Sequence, residues 1–226
     1  MGRIARVVAV GLPHHVTQRG NNRAEVFFSD ADRRYYLKTL AHYCDEFKLR
    51  VWAYCLMSNH VHILAVPEQE YSLAQGIGRT NLVYTQYVNR KYRRSGRLWQ
   101  NRFSSCPVDA GEYLWTVCCY IETNPVRVGQ ARQAWDYRWS SARHHVKSVS
   151  DPLVRESPWL DPALRQEYRR HLEQGSQRPE IGQIRKAVQV GRPFGTAGFV
   201  DRLERELSRA LRPGKRGPKP KTGKTS

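Results

Sequence analysis

The chain reads as an α+β protein, a ferredoxin-like antiparallel sheet with packed helices, followed by a helical extension. Three observations predict this. Strand-like and helix-like segments follow one another as strand, helix, strand, strand, helix, strand, helix. The run Leu49 to Met57 is apolar at nearly every position, as in a central strand covered on both faces, and it turns back through Ser58-Asn59 into His60 to Val66. Two long stretches, about 30–47 and 72–92, repeat apolar residues at helical spacing instead.

Each element has its own warrant. Residues 1–13 are basic and apolar and end at Pro13; His14 to Gln18 is a first strand, closed by Arg19-Gly20-Asn21-Asn22. Ser29 offers an N-cap, with Asp32 three residues on and Leu37, Leu40, Ala41, Cys44 and Phe47 as the buried stripe of a helix. After Pro67 the second helix carries Leu73, Ile77, Tyr84, Tyr87 and Val88, and it ends in a basic run through Arg90, Lys91, Arg93, Arg94 and Arg97. Close to Tyr87, Tyr92, Trp99 and Phe103, that run has the make-up of a groove for single-stranded nucleic acid. A further strand is expected over Leu98 to Val108. Asp109 and Glu112 form a capping-box pattern opening a helix through Leu114, Val117, Cys118 and Ile121, which Pro125 should stop or kink at Asn124. Trp135 to Val146 closes this unit.

The expected organisation is therefore 1–147 as the α+β domain, 148–211 as a helical accessory region, and 212–226 as a disordered basic tail with six Lys or Arg and no acid. Helices are expected near 161–174, 181–189 and 199–211. Lys and Arg outnumber Asp and Glu by 38 to 20, and a pI near 10.1 points to a polyanionic partner, nucleic acid first. No apolar run is long enough to span a bilayer, and the first residues lack the apolar core of a signal peptide, so a cytoplasmic protein is expected. Five cysteines without a C-x-x-C pair argue against a disulfide framework and a zinc finger, and no P-loop is present to bind a nucleotide.

The residues that carry chemistry sit at His60 and His62. Alternation along a strand puts both imidazoles on one face, with Val61, Ile63 and Ala65 on the other, so one ion can reach both. Tyr120 and Asn124, four apart on a helix, share one edge of its stripe.

Cys55-Leu56-Met57-Ser58-Asn59-His60-Val61-His62, followed by Tyr120-Ile121-Glu122-Thr123-Asn124-Pro125-Val126-Arg127, resembles the HUH-type single-tyrosine transposases, and among them the REP-associated tyrosine transposases of bacteria. The likeness covers about residues 3–146 and extends to Trp139-Ser140-Ser141. It implies the HUH endonuclease fold and metal-dependent cleavage and strand transfer on single-stranded or hairpin DNA. It matches His60 and His62 to the metal-binding pair, Tyr120 to the nucleophile, and Asn124 to the polar residue completing the metal site. Some members of the superfamily carry Gln where this chain has Asn124. Tyr113 is the other tyrosine of the helix, and it does not fit the motif.

This chemistry is what a phosphodiester demands. Its negative charge has to be masked and the reacting atoms held in line. Two imidazole nitrogens and an amide oxygen are neutral, so a divalent ion between them keeps its full charge for the phosphate; Mg or Mn suits the set, and Zn is compatible with it. A protonated phenol is a poor nucleophile, and a neighbouring cation favours the phenolate. Covalent catalysis then conserves the energy of the bond, so no nucleotide cofactor is required. Arg19, Arg79, Arg90, Lys91 and Arg102 are candidates to hold the DNA backbone. A replication-initiator or relaxase-like nickase shares the same residues, and a non-catalytic DNA-binding repressor would share the fold and charge. The sequence names no protein partner.

Overall fold

The computed structural model describes residues 5–175 and 180–213. Its centre is a four-stranded antiparallel sheet in the order β2-β3-β1-β4, built from β1 (His14–Arg19), β2 (Leu49–Leu56), β3 (His60–Pro67) and β4 (Ser104–Pro107). Helix α1 (Asp30–Glu46) joins β1 to β2 and α2 (Ser72–Lys91) joins β3 to β4, which is the split β-α-β arrangement expected of a ferredoxin-like fold.

The two faces of the sheet carry different cores. Val16, Val61, Ile63 and Ala65 pack with α1 and α2, through Leu40, Leu73, Ile77 and Tyr84. Ala53, Cys55, Leu64 and Cys106 meet α3 (Leu114–Glu122) through Val117, Cys118 and Ile121 on the other side. The register shift between Val51 and Ala53 reverses the alternation of β2, so that Leu49 and Val51 before it and Tyr54 and Leu56 after it all join the core under α1 and α2, while Ala53 and Cys55 face α3.

Two elements differ from expectation. The strand foreseen over Leu98 to Val108 is reduced to Ser104–Pro107, because Asn101 takes a positive φ of 57° and the chain ahead of it folds against the end of β1. There Asn21 N–H bonds Leu98 O and Gln100 N–H bonds Arg19 O. The helix foreseen from Asp109 begins only at Leu114, because the Asp109 carboxylate accepts from Gly111 N–H, Thr196 N–H and the Thr196 hydroxyl instead of capping its own helix. Pro125 produces a kink, with a four-residue helix, α4 (Asn124–Arg127), resuming after Thr123.

Beyond Val128 the chain wraps the sheet. Residues 139–141 run along the open edge of β2, with Leu56 N–H bonding Trp139 O, Ser141 N–H bonding Tyr54 O, and Tyr54 N–H bonding Ser141 Oγ. Helices α5 (Ala142–Lys147) and α6 (Arg165–Gln174) follow, then α7 (Ile181–Val190) and α8 (Ala197–Glu206). Phe194, between α7 and α8, bridges to Val108 and covers the edge at β4. Neither sheet edge is left as a bare template for another strand. Helix α8 ends short of residue 211, at a positive φ of Ser208, and packs with Leu211 against Val7 and Ala9. Residues 214–226, most of the expected basic tail, lie outside the described residues.

Candidate active site

Register builds the first half of the site. Thr17 lies opposite His62, and Arg19 opposite His60, so these residues and His15, two before Thr17, share the face that α3 covers. The rings of His60 and His62 are 5.1 Å apart between centroids. Helix α3 supplies the second half. Tyr120 sets its ring edge-on to His62 at 5.4 Å and to His15 at 5.6 Å. Asn124 follows one turn along, and its Nδ2 donates to the carbonyls of Tyr120 (3.0 Å) and Ile121 (3.1 Å), which leaves Oδ1 as the free end of the amide.

Exposure gives the site a direction. His15 is 0% exposed, Tyr120 4%, His62 6% and Asn124 7%, whereas His60 is half-buried and Arg19 exposed, so the site opens toward the His60–Arg19 end. Burial holds the imidazoles neutral. It lowers His60 to about 4, helped by Arg19, Arg127 and Arg185, and it holds His62 well below its ordinary value, with His15, His60, Arg127 and Arg19 adding to the effect. Neutral imidazole is the form that binds a metal.

Hydrogen bonding also sets which nitrogen of His60 is bare. Asn59 Nδ2 donates to Arg23 O at 2.9 Å, which turns its Oδ1 toward His60 Nδ1 at 2.6 Å. An oxygen can only accept, so Nδ1 of His60 carries the proton and Nε2 keeps its lone pair. His62 Nδ1 is likewise engaged, by His15 Nε2 at 2.9 Å, which leaves Nε2 as its outward nitrogen. Among the described residues no group of three His, Cys, Asp or Glu side chains is arranged to hold a metal. Two outward imidazole nitrogens and an amide oxygen nevertheless fit a divalent ion in chemistry and charge.

Two cations near the site were not singled out in the sequence. The Arg127 guanidinium lies 4.6 Å from the centre of the Tyr120 ring, and it donates to Tyr120 O (2.9 Å) and Thr123 Oγ1 (2.6 Å). Arg185, on α7, adds its field to both His60 and Arg127. The first belongs to the quoted Asn-Pro-Val-Arg word, and its spacing of seven from Tyr120 was a usable signal; nothing in the sequence tied Arg185 to the site.

The five expected DNA-backbone residues scatter. Arg19 borders the site, and exposed Arg102 is close to it in the chain segment bonded to Arg19. Arg79 and Arg90 are exposed on α2, which packs on the opposite face of the sheet. Lys91 is held by the buried Asp32 carboxylate at 2.6 Å, so its charge is already met within the protein. Of the aromatic residues assigned to the same groove, Trp99 and Phe103 are buried in the core and Tyr87 stacks on Tyr35 at 3.9 Å. The exposed ring of that region is Phe28, packed on Tyr92 with Arg94 over it.

Comparison with known proteins places this geometry in a family. The family model for IS200-like transposases matches residues 9–124, which hold both histidines, Tyr120 and Asn124. A Haemophilus influenzae protein described as a REP-associated tyrosine transposase is 28% identical over 120 residues, 48% of this chain and 68% of its own length. In fold, the chain is similar to a REP-associated tyrosine transposase solved in complex with a REP hairpin, with a TM-score of 0.57 at 16% identity over 71% of this chain and 98% of that one. Among the described residues no helix is long and apolar enough to cross a membrane. The chain belongs to the IS200-like transposase family, and its relatives in sequence and fold are REP-associated tyrosine transposases.

Proposed function

We propose that this chain cleaves and rejoins single-stranded DNA through a covalent link to Tyr120, at a hairpin element of the REP type. The observation that carries the reading is the packing of one tyrosine ring edge-on against His62, whose partner His60 offers a bare Nε2 on the same face. His60, His62 and Asn124 would hold a divalent ion, Mg or Mn. When bound, it supplies charge to the scissile phosphate and a template for in-line attack.

The chain's own residues account for the rest. Tyr120 Oη attacks phosphorus, the bond from phosphorus to the 3′ oxygen breaks, and the 5′ phosphate stays on the tyrosine. The phenol gives up one proton and the departing 3′ oxygen takes up one, so cleavage is balanced, and attack by another 3′-hydroxyl reverses it. Arg127 over the Tyr120 ring places a positive charge beside the developing phenolate. Arg19, at the open end, is placed to meet the strand's backbone, and the net charge of +18 draws the polyanion in.

The test is a labelled single-stranded hairpin, Mn²⁺, and a denaturing protein gel. The parent chain should retain label, while Tyr120→Phe folds and binds the hairpin but retains none. Tyr113 packs against Phe194 at 4.9 Å, away from the histidines, and Tyr113→Phe should keep the adduct. Strand cutting by Tyr120→Phe at the parental rate would mean that water is the nucleophile and that the chain is a hydrolytic nuclease.

A further inference from the structure

His15 lies outside the ligand set, yet it is the most deeply buried ring of the site. Its Nε2 is 2.9 Å from His62 Nδ1, and the two rings lie edge to edge, with centroids 5.2 Å apart and 23° between planes. Its other nitrogen, Nδ1, is buried without a hydrogen-bond partner among the described residues. A histidine kept for packing normally satisfies both nitrogens. Its neighbour His14 does so, with Nδ1 on Leu12 O at 2.8 Å and Nε2 accepting from Ala9 N–H at 3.1 Å. The polar contact of His15 is made entirely with His62.

We propose that His15 is a positioning residue that makes His62 a metal ligand: it accepts the Nδ1–H of His62 and thereby holds the lone pair of His62 Nε2 outward. The inference rests on the reading of His60 and His62 as a metal-binding pair. A metal-bound histidine needs its second nitrogen tied to an acceptor that fixes tautomer and ring plane. For His60 that acceptor is the Asn59 amide oxygen. For His62 the ring of His15 is the group present, with its Nε2 2.9 Å from His62 Nδ1 and the two ring planes only 23° apart. Both acceptors are neutral. A carboxylate in either place would add negative charge behind a centre that has to receive a phosphate, so imidazole and amide suit this chemistry better. The His15 ring also packs against Tyr120, with centroids 5.6 Å apart, so one side chain touches both the tyrosine and the histidine it orients.

Two substitutions separate these contributions. His15→Phe keeps a ring against Tyr120 and His62 but offers no acceptor. His15→Gln gives up the ring but keeps an amide oxygen that can take the Nδ1–H. Mn²⁺ affinity of the full chain, from the free-ion electron paramagnetic resonance signal, should fall 10- to 100-fold in His15→Phe and stay within about threefold of the parent in His15→Gln, with both variants melting as cooperatively as the parent. Parental affinity in His15→Phe, or equal losses in both variants, would overturn the proposal.

A measurement on the unaltered protein covers the case in which neither variant folds. With Mg²⁺ bound, imidazole ¹⁵N shifts of His62 should show Nδ1 protonated and Nε2 bare. The reverse assignment would overturn the proposal while leaving the metal site standing. If the parent binds Mn²⁺ no better than His60→Ala, the metal reading itself falls, and the role of His15 falls with it.

Discussion

At the scale of single residues the site is a set of neutral groups surrounded by cations. His60 and His62 are uncharged because burial, with Arg19 and Arg127 behind it, disfavours the imidazolium. His60→Ala and His62→Ala should each abolish adduct formation while hairpin affinity changes less than about threefold, since in the proposed function binding rests on many arginines and the histidines serve the bond-breaking step. Equal losses of binding and cleavage would refute that division, and a filter-binding assay run beside the gel measures both. Arg127→Met should cost about 1–2 kcal/mol of stability by removing the bonds to Tyr120 O and Thr123 Oγ1, and slow cleavage more than Arg19→Met does. The histidine pair and the tyrosine–asparagine pair were legible in the sequence because each is local, fixed by a period of two or of four. His15 was not, because its partnership with His62 depends on the register of β1 against β3, and Arg185 was not, because it depends on how α7 docks.

At the scale of elements, what could be read was the periodic part. Both long helices and the strands β1, β2 and β3 lie where the sequence puts them. The misplaced start of α3 comes from the side-chain bonds of Asp109 to distant Thr196, and the shortened β4 from the left-handed turn at Asn101 and the backbone bonds to the end of β1, none of which a local pattern reveals. The same holds for the polar network under α3. Glu122, fully buried, accepts from Ser141 Oγ and His145 Nδ1 at 2.6 Å each and from the Tyr168 hydroxyl at 2.9 Å, while His145 Nε2 meets Ser157 Oγ at 2.9 Å. It ties the helix bearing Tyr120 to α5 and α6. Tyr168→Phe leaves one carboxylate oxygen short of a donor and should lower stability by about 1–3 kcal/mol, read by urea denaturation. Acid should act through the buried His14, which burial lowers to about 4 despite its bond to Leu12 O. Its folded value lies below its unfolded one, so its contribution is complete above about pH 6.5 and is lost as pH falls toward 4, on the order of 3 kcal/mol in all. A His14→Gln chain should show a shallower loss of stability across that window.

At the scale of the whole molecule, the boundary expected at residue 147 crosses a continuous core. Leu160, Tyr168, Leu172, Ile184, Val188 and Phe194 are buried against Leu114, Val117, Cys118 and Ile121 of the first segment. Each fully buried side chain of this kind contributes roughly 1.5–3 kcal/mol, so six together rival the 5–15 kcal/mol or so by which a domain is stable. A chain ending at Lys147 should therefore lose cooperative unfolding, whereas one ending at Pro213 should melt like the parent. That second chain isolates the charge of the last residues. It lacks five of the Lys and Arg residues and none of the described core. For every phosphate of single-stranded DNA that the shortened chain no longer neutralises, the slope of log K against log salt should diminish by about 0.7. Removal of 214–226 should therefore flatten the slope and weaken binding at low salt, with adduct formation at saturating DNA unchanged. An unaltered slope would mean that these cations do not meet the backbone, and that the affinity comes from Arg19, Arg102 and the other arginines of the folded part.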